Sequence, residues 1–285
     1  MRGLVVLGSV TGAPGVTTTA LALAAGWPAE ADGGVRPVVV EADPSGGDLM
    51  IRFGLPAAPS LLDVAAAAGR PHPGSLLGAA SELPFGVRAV VAVPGRGPCR
   101  EAVRLLAGEA GGRVLRGDSH DRGTVLLDVG RLTEDVEPLL DAAEQVVLVA
   151  RGGAEPLTHV SAYDLKAVER AGRLTLAVVG PCPYPAQEIA KTLRIERVVF
   201  LPWDSKSVAV MNSPYRGGLR TTGFRMPHLI GAARSLARRL TQARESGSGT
   251  QGAGGEAMAP MSATQMAGRM RAGLVQGPGD EGYRS

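Results

Sequence analysis

The sequence predicts an α/β fold, a mainly parallel sheet with helices on both faces, and three observations carry that expectation. Seven short apolar runs alternate along the chain with stretches of helical length. The composition is 45% hydrophobic but only 4% aromatic. A mix led by Ala, Val, Leu and Gly suits strands buried on both faces better than a half-exposed antiparallel sandwich. Turn formers and ligand-competent polar residues gather after Leu7, Ala42, Val129 and Leu201. Those are strand C-terminal ends, where such sheets bind their ligands.

Leu4–Leu7 reads as a buried strand, followed by a Gly/Ser/Thr/Pro loop and a helix over Thr17–Ala25. Pro37–Ala42 is a second strand, closed by Glu41-Ala42-Asp43-Pro44, and Ser60–Ala68 is helical. Val87–Val93 ends at Pro94-Gly95 and precedes a helix over Cys99–Ala107. Thr124–Val129, Gln145–Ala150 and Leu174–Val179 are three further strands, the last two separated by a helix over Leu157–Ala171. Glu188–Leu193 is a short helix, and Arg197–Leu201 a strand closed by Pro202-Trp203-Asp204. In Leu229–Ala243 the residues Leu229, Ile230, Ala233, Leu236, Ala237 and Leu240 form the apolar stripe of an amphipathic helix.

The 285 residues suffice for one large domain, expected over 1–244. Residues 245–285 open Gly/Ser-rich, carry four of the eight Met, and read as a flexible tail. No apolar run approaches the roughly 20 residues of a membrane span. Thr11–Thr19 interrupts the N-terminal apolar stretch with turn formers and hydroxyls, which argues against a secretory signal. Cys99 and Cys182 cannot form a disulfide framework and suit a reducing cytoplasm. His72, His120, His159 and His228 lack metal-ligand spacing. The net charge of +3 conceals eight Lys/Arg and no Asp or Glu between Ser205 and Arg244. The first 165 residues contain no lysine; the three in the chain are Lys166, Lys191 and Lys206.

A phosphate-binding loop, G-x-x-x-x-G-K-[ST], surrounds phosphates with backbone amides and a helix N-terminus, adds a lysine charge, and binds Mg²⁺ through its hydroxyl. Ser9–Thr18 resembles the deviant form of this loop in the ParA/MinD family, K-G-G-x-G-K-[ST]-T. Gly12 and Gly15 keep glycine positions, and Thr17 and Thr18 keep the hydroxyls. Val38–Leu49, with Glu41-Ala42-Asp43-Pro44, is similar to the family's D-x-D-P-x-x-G-[ND]-L. Phe53-Gly54-Leu55 and Ser60–Val64 resemble its L-G-L…T-L-x-D-V-L stretch, and Val125–Asp128 its Walker B strand. Val199–Asp204 is similar to its late P-x-D segment, which packs near the adenine. The resemblance covers roughly residues 3–240, with the motifs in family order.

That resemblance implies ATP or ADP with Mg²⁺ as cofactor. It implies Gly12, Ala13, Pro14, Gly15, Val16, Thr17, Thr18, Pro202 and Asp204 around the nucleotide. Thr17, Asp43 and Asp128 would stand at the metal, with Asp43 catalytic. The chain departs from the pattern at both lysines: Thr11 stands at the signature lysine and Val16 at the P-loop lysine. Glu41 replaces the first Asp of the second motif, and Val179-Gly180-Pro181 stands where the family has an adenine-reading Asn. An arginine could replace a lost lysine; Arg2, Arg131 and Arg151 lie near strand ends.

The expectation is therefore a degenerate nucleotide-binding protein, a positioning or scaffold factor with weak or no ATP hydrolysis. Its partners would be components of a larger machine and a second copy of the chain. The alternative is an active ATPase that partitions DNA or positions a pilus, secretion or conjugation complex; a third reading is a small-molecule amidating or synthetase enzyme. The basic segment reads either as a solvated face or as a site for DNA or another anionic surface. In the second case Arg234, Arg238 and Arg239 would carry it, and a cytoplasmic protein would associate with nucleoid or membrane.

Overall fold

The computed structural model describes residues 1–12, 15–69, 75–163, 171–213 and 228–247. Its strands are β1 (Gly3–Ser9), β2 (Val38–Glu41), β3 (Ser81–Glu82), β4 (Arg88–Val90), β5 (Thr124–Arg131), β6 (Gln145–Arg151), β7 (Leu174–Val179) and β8 (Arg197–Leu201). Between them lie α1 (Val16–Gly26), α2 (Leu49–Phe53), α3 (Leu61–Ala67), α4 (Ser75–Gly78), α5 (Arg96–Ala107) and α6 (Glu109–Arg116). Then follow α7 (Glu137–Ala142), α8 (Ala154–Ala162), α9 (Ala186–Leu193), α10 (Ser205–Met211) and α11 (His228–Gly247).

The strands form one sheet in the order β3-β4-β2-β5-β1-β6-β7-β8. Pairing is parallel throughout except for β3 with β4. This is the predicted class. The central strand β1 is buried along its whole length. Its side chains alternate between two cores, as period-2 geometry requires. Leu4 and Val6 pack with Leu61, Val103, Leu115 and Leu140 on one face. Val5 and Leu7 pack with Leu21, Leu23, Leu236 and Leu240 on the other. The chain leaves β1 toward β2 on one side and later crosses from β5 over β1 to β6 on the other. The strand order therefore reverses at β1, which opens a crevice at its C-terminal end.

Several predicted boundaries shift. The helix expected over Leu157–Ala171 instead starts at Ala154 and ends at Ala162, where Tyr163 turns extended. Ala171 opens a short 3₁₀ turn, and 164–170 lie outside the described residues. The helix expected from Cys99 begins at Arg96, directly after Gly95 at φ 110°. The run Val87–Val93 contributes only Arg88–Val90 to the sheet. The final helix continues to Gly247, three residues beyond the expected domain end. The rest of the predicted tail lies outside the described residues.

At the opposite end of the sheet from the crevice, Arg244 joins α11 to the rest of the molecule. Its guanidinium donates to Asp32 Oδ1 (3.2 Å) and to Thr124 Oγ1 (2.8 Å), and its Nε meets Glu144 Oε2 at 2.9 Å. Asp32 Oδ2 also accepts from Trp27 Nε1 (3.1 Å) and from Thr124 Oγ1 (2.7 Å). Among the described residues no helix is long and apolar enough to cross a membrane.

Candidate functional site

The loop after β1 leads into α1 through Gly15, whose φ of 98° and ψ of 38° place it in the left-handed region that glycine tolerates best. Thr19 closes the first turn, its Oγ1 donating to the Gly15 carbonyl at 2.8 Å and its backbone N–H donating to the same oxygen at 2.9 Å. The amides of Val16, Thr17 and Thr18 have no carbonyl one turn earlier to bond, so the start of α1 presents donors and the positive end of its dipole. Gly12 is exposed and Thr18 half-buried at this end of the sheet, while Ala13 and Pro14 lie outside the described residues. Val16 does not face the loop's ligand side. It is buried in the apolar cluster with Val5, Leu7 and Ala20, so the position of the P-loop lysine is occupied by core.

Three residues predicted at the metal come together. The Thr17 hydroxyl lies near enough to the Asp128 carboxylate to hold its pKa down, and Asp128 Oδ1 accepts from Gly130 N at 3.1 Å. Burial pushes Asp128 up to about 7, with the neighbouring Glu41 and Asp43 carboxylates acting in the same direction. Asp43 is half-buried against Gly130, where a Cβ would collide with its carboxylate oxygen. Gly130 sits at φ 61°. Burial also raises the Asp43 carboxyl, against the bonds it accepts from Ser45. Among the described residues no cluster of three or more His, Cys, Asp or Glu could hold a metal by itself. A magnesium ion that keeps water and phosphate oxygens needs only one or two protein ligands, and a hydroxyl with flanking carboxylates fits that need.

Glu41 has a different task from its neighbours. It is buried, and its Oε1 accepts from Asp48 N (2.8 Å) and Leu49 N (3.1 Å) while Oε2 accepts from Ala92 N (3.0 Å). Burial raises its carboxyl and the three amide bonds lower it, with burial the larger effect. The glutamate thus ties the loop after β2 to the segment after β4. The sequence pattern showed the replacement of Asp by Glu but not this use of the extra methylene.

Beside the start of α1 lies a cavity of about 310 Å³, bounded by Gly15, Thr18, Arg151, Pro202 and Trp203 and floored by Val179 and Leu201. The Arg151 guanidinium lies 3.9 Å over the centre of the Trp203 ring. Trp203 is 57% exposed. Asp204 borders the cavity, but its carboxylate caps α10, accepting from Ser207 N (3.0 Å) and the Ser207 hydroxyl, and it reaches Leu229 N at 3.4 Å. Pro202 and Asp204 both border this cavity, the latter with its oxygens engaged. The ring stack was not legible, because nothing in the sequence aligns Arg151 with Trp203.

Comparison with solved structures aligns the chain with a MinD septum-site protein from Pyrococcus horikoshii in complex with Mg-ADP, at 15% identity and a TM-score of 0.63, over 85% of this chain and 99% of that one. The fold is that of the ParA/MinD-type P-loop ATPases. A ParA family ATPase from Chlorobium tepidum aligns at 13% identity and TM-score 0.58, over 83% of this chain and 98% of that one. Cobyrinic acid a,c-diamide synthase from Mycobacterium smegmatis, with an ATP analogue and magnesium, aligns at 17% and 0.56, over 87% and 97%. No family model and no curated protein matches the chain. Within this ParA/MinD-like frame the loop, Asp43 and Asp128 occupy the crevice at the end of β1.

The basic candidates are on α11. Arg239 is exposed, Arg238 sits 3.8 Å from Glu30 at the surface, and Arg234 donates from Nε to the Gly26 carbonyl at 3.4 Å. Arg244, counted in the same basic segment, is held by Asp32 and Glu144 and adds no free charge. Arg216, Arg220 and Arg225 lie outside the described residues.

Proposed function

We propose that the chain binds an adenine nucleotide with Mg²⁺ in the crevice at the end of β1 and acts as a positioning or scaffold factor that hydrolyses ATP slowly or not at all. The observation that carries this reading is the meeting of Thr17, Asp128 and Asp43 at the start of α1. The amides of the first turn would take the phosphates, Thr17 the metal, and Asp128 and Asp43 its waters. Bound magnesium would supply charge neutralisation on the phosphate oxygens. Val16 in the core removes the close cation that neutralises the β/γ oxygens in ordinary P-loops, and Thr11 removes the trans-acting one, a kind of cationic finger that contributes about 10³–10⁵ in rate in related phosphoryl-transfer sites. Nucleotide state would then work as a structural signal to a partner protein rather than as fuel.

Calorimetric titration with ADP and ATP, with and without Mg²⁺, tests the reading. Expected is magnesium-dependent binding that Thr17→Ala and Asp128→Ala each weaken at least tenfold. No binding at millimolar nucleotide would refute it. Turnover at ordinary P-loop ATPase rates, abolished by Asp43→Ala, would refute the slow-hydrolysis part alone.

A further inference from the structure

A loop that binds phosphate without lysine needs its charge from elsewhere, and the described arginines near strand ends can be compared. Arg2 lies at the wrong end of the sheet, buried and paired with Asp121. Arg131 is exposed at the end of β5 and does not border the cavity. Arg151 is the cationic side chain among those that border it. It closes β6, which runs parallel to β1 with Leu148 opposite Gly8. Arg151 therefore stands at the C-terminal end of the sheet, the end at which β1 runs into the loop before α1. Among the described residues no carboxylate holds the guanidinium there. Asp204, the acid on the cavity wall, is engaged with Ser207 and Leu229, and Arg151 rests on the Trp203 ring instead.

A cation on an aromatic face in partial contact with water is weakly held, and a flat heteroaromatic ring competes for the same face by stacking. The cavity that Trp203 borders is lined by the apolar Val179 and Leu201 and, at the start of α1, by Gly15 and Thr18. A base entering it meets the indole; the phosphates attached to that base lie toward the α1 amides. We propose that Arg151 and Trp203 form an exchange pair. The nucleobase takes the indole face, and the guanidinium it displaces turns to the phosphates, supplying the cation that Thr11 and Val16 do not. Base and phosphate recognition are thereby coupled through one side chain, and the ligand that satisfies both is a nucleoside di- or triphosphate. This rests on the nucleotide reading above.

Full-length protein is titrated with three probes in the presence of Mg²⁺: ADP, adenosine and inorganic pyrophosphate. Tryptophan fluorescence reports stacking, and Trp203→Phe assigns the signal, since the other indole, Trp27, is bonded to Asp32 at the far end of the sheet. Arg151→Ala is expected to weaken ADP and pyrophosphate at least tenfold while adenosine binds as well as before or more tightly, because the ring is uncovered. Trp203→Ala is expected to weaken ADP and adenosine and leave pyrophosphate unchanged. Both side chains are exposed, so neither truncation opens the core. If wild type binds ADP and Arg151→Ala binds it equally well, or loses adenosine in the same proportion, the exchange pair is wrong and the nucleotide reading stands. If wild type binds none of the three probes, both fall together.

Discussion

Glu41 and Gly130 are two residues whose roles follow from a single geometric need each. Glu41 satisfies three backbone donors, two of which, on Leu49 and Ala92, are otherwise closed off from water. Removing the carboxylate leaves unpaired buried amides, each costing about 1–3 kcal/mol, partly relieved by water entering the void. Glu41→Ala is therefore expected to lower stability by about 3 kcal/mol in urea unfolding. A loss under about 0.5 kcal/mol would show that the latch is dispensable. Gly130 combines a φ of 61° with a neighbour, Asp43, that leaves no room for a Cβ. Gly130→Ala should cost about 1–2 kcal/mol in the left-handed backbone and push the Asp43 side chain away. Magnesium-dependent nucleotide affinity should fall with it, whereas a purely structural glycine would lower the melting temperature and leave affinity intact.

Among the elements, α10 shows how a charge sets the position of a whole segment. Asp204 caps its first turn and touches the start of α11, so one carboxylate orients two helices beside the cavity. The Ser207 hydroxyl and amide hold this carboxyl below its ordinary value of 3.8. A lowered folded value means stability that is complete above pH 3.8 and is lost as pH falls through the folded value. Asp204→Asn keeps a capping oxygen and removes the charge, so wild type should exceed it by about 0.5 kcal/mol near pH 6. That gap should close by about pH 2 in urea melts at graded pH; a gap independent of pH would mean that the charge is irrelevant. Elements whose apolar residues kept one period were readable from sequence, as β1, β5, β6 and β7 show. Those fixed by contacts distant in the chain were not. The sequence predicts no element around Gly111-Gly112, yet α6 runs through it; a Cβ at Gly111 would strike the Leu106 backbone, and only glycine permits that approach. The two-residue strand β3 carries no period at all; the turn in which Gly86 N donates to the Leu83 carbonyl and Leu83 N to the Val87 carbonyl sets its pairing with β4. In the site, the order of Thr17, Asp43 and Asp128 was legible through motif spacing. The reach of Glu41 across 51 residues to Ala92 was not.

Over the whole molecule, the two ends of the sheet divide the labour. The C-terminal ends of the strands gather the groups proposed to bind nucleotide, and the opposite end carries the Arg244 network that fixes α11. Arg244 is 23% exposed and Asp32 11%, so their pairing is worth less than a fully buried one. Arg244→Ala is expected to lower stability by about 2 kcal/mol in urea unfolding, and the released Trp27 side of the network should shift its fluorescence. Unchanged stability would mean that α11 is held by its apolar stripe alone. The strand order also dictates when the molecule can come into being during synthesis. β1 finds its sheet neighbours at Thr124–Arg131 and Gln145–Arg151, and α1 packs on β1, β2 and β5 as well as on the late helix α11. A ribosome has therefore made more than half of the protein before the central strand can be paired on both sides. Ala20, Leu21 and Leu23 wait longer still, until Leu236 and Leu240 emerge. Such late closure slows folding and leaves apolar surface open on the nascent chain. A translation product that stops short of residue 228 would carry a nearly complete sheet with one face covered only in part, by α1, a species for chaperones rather than for function.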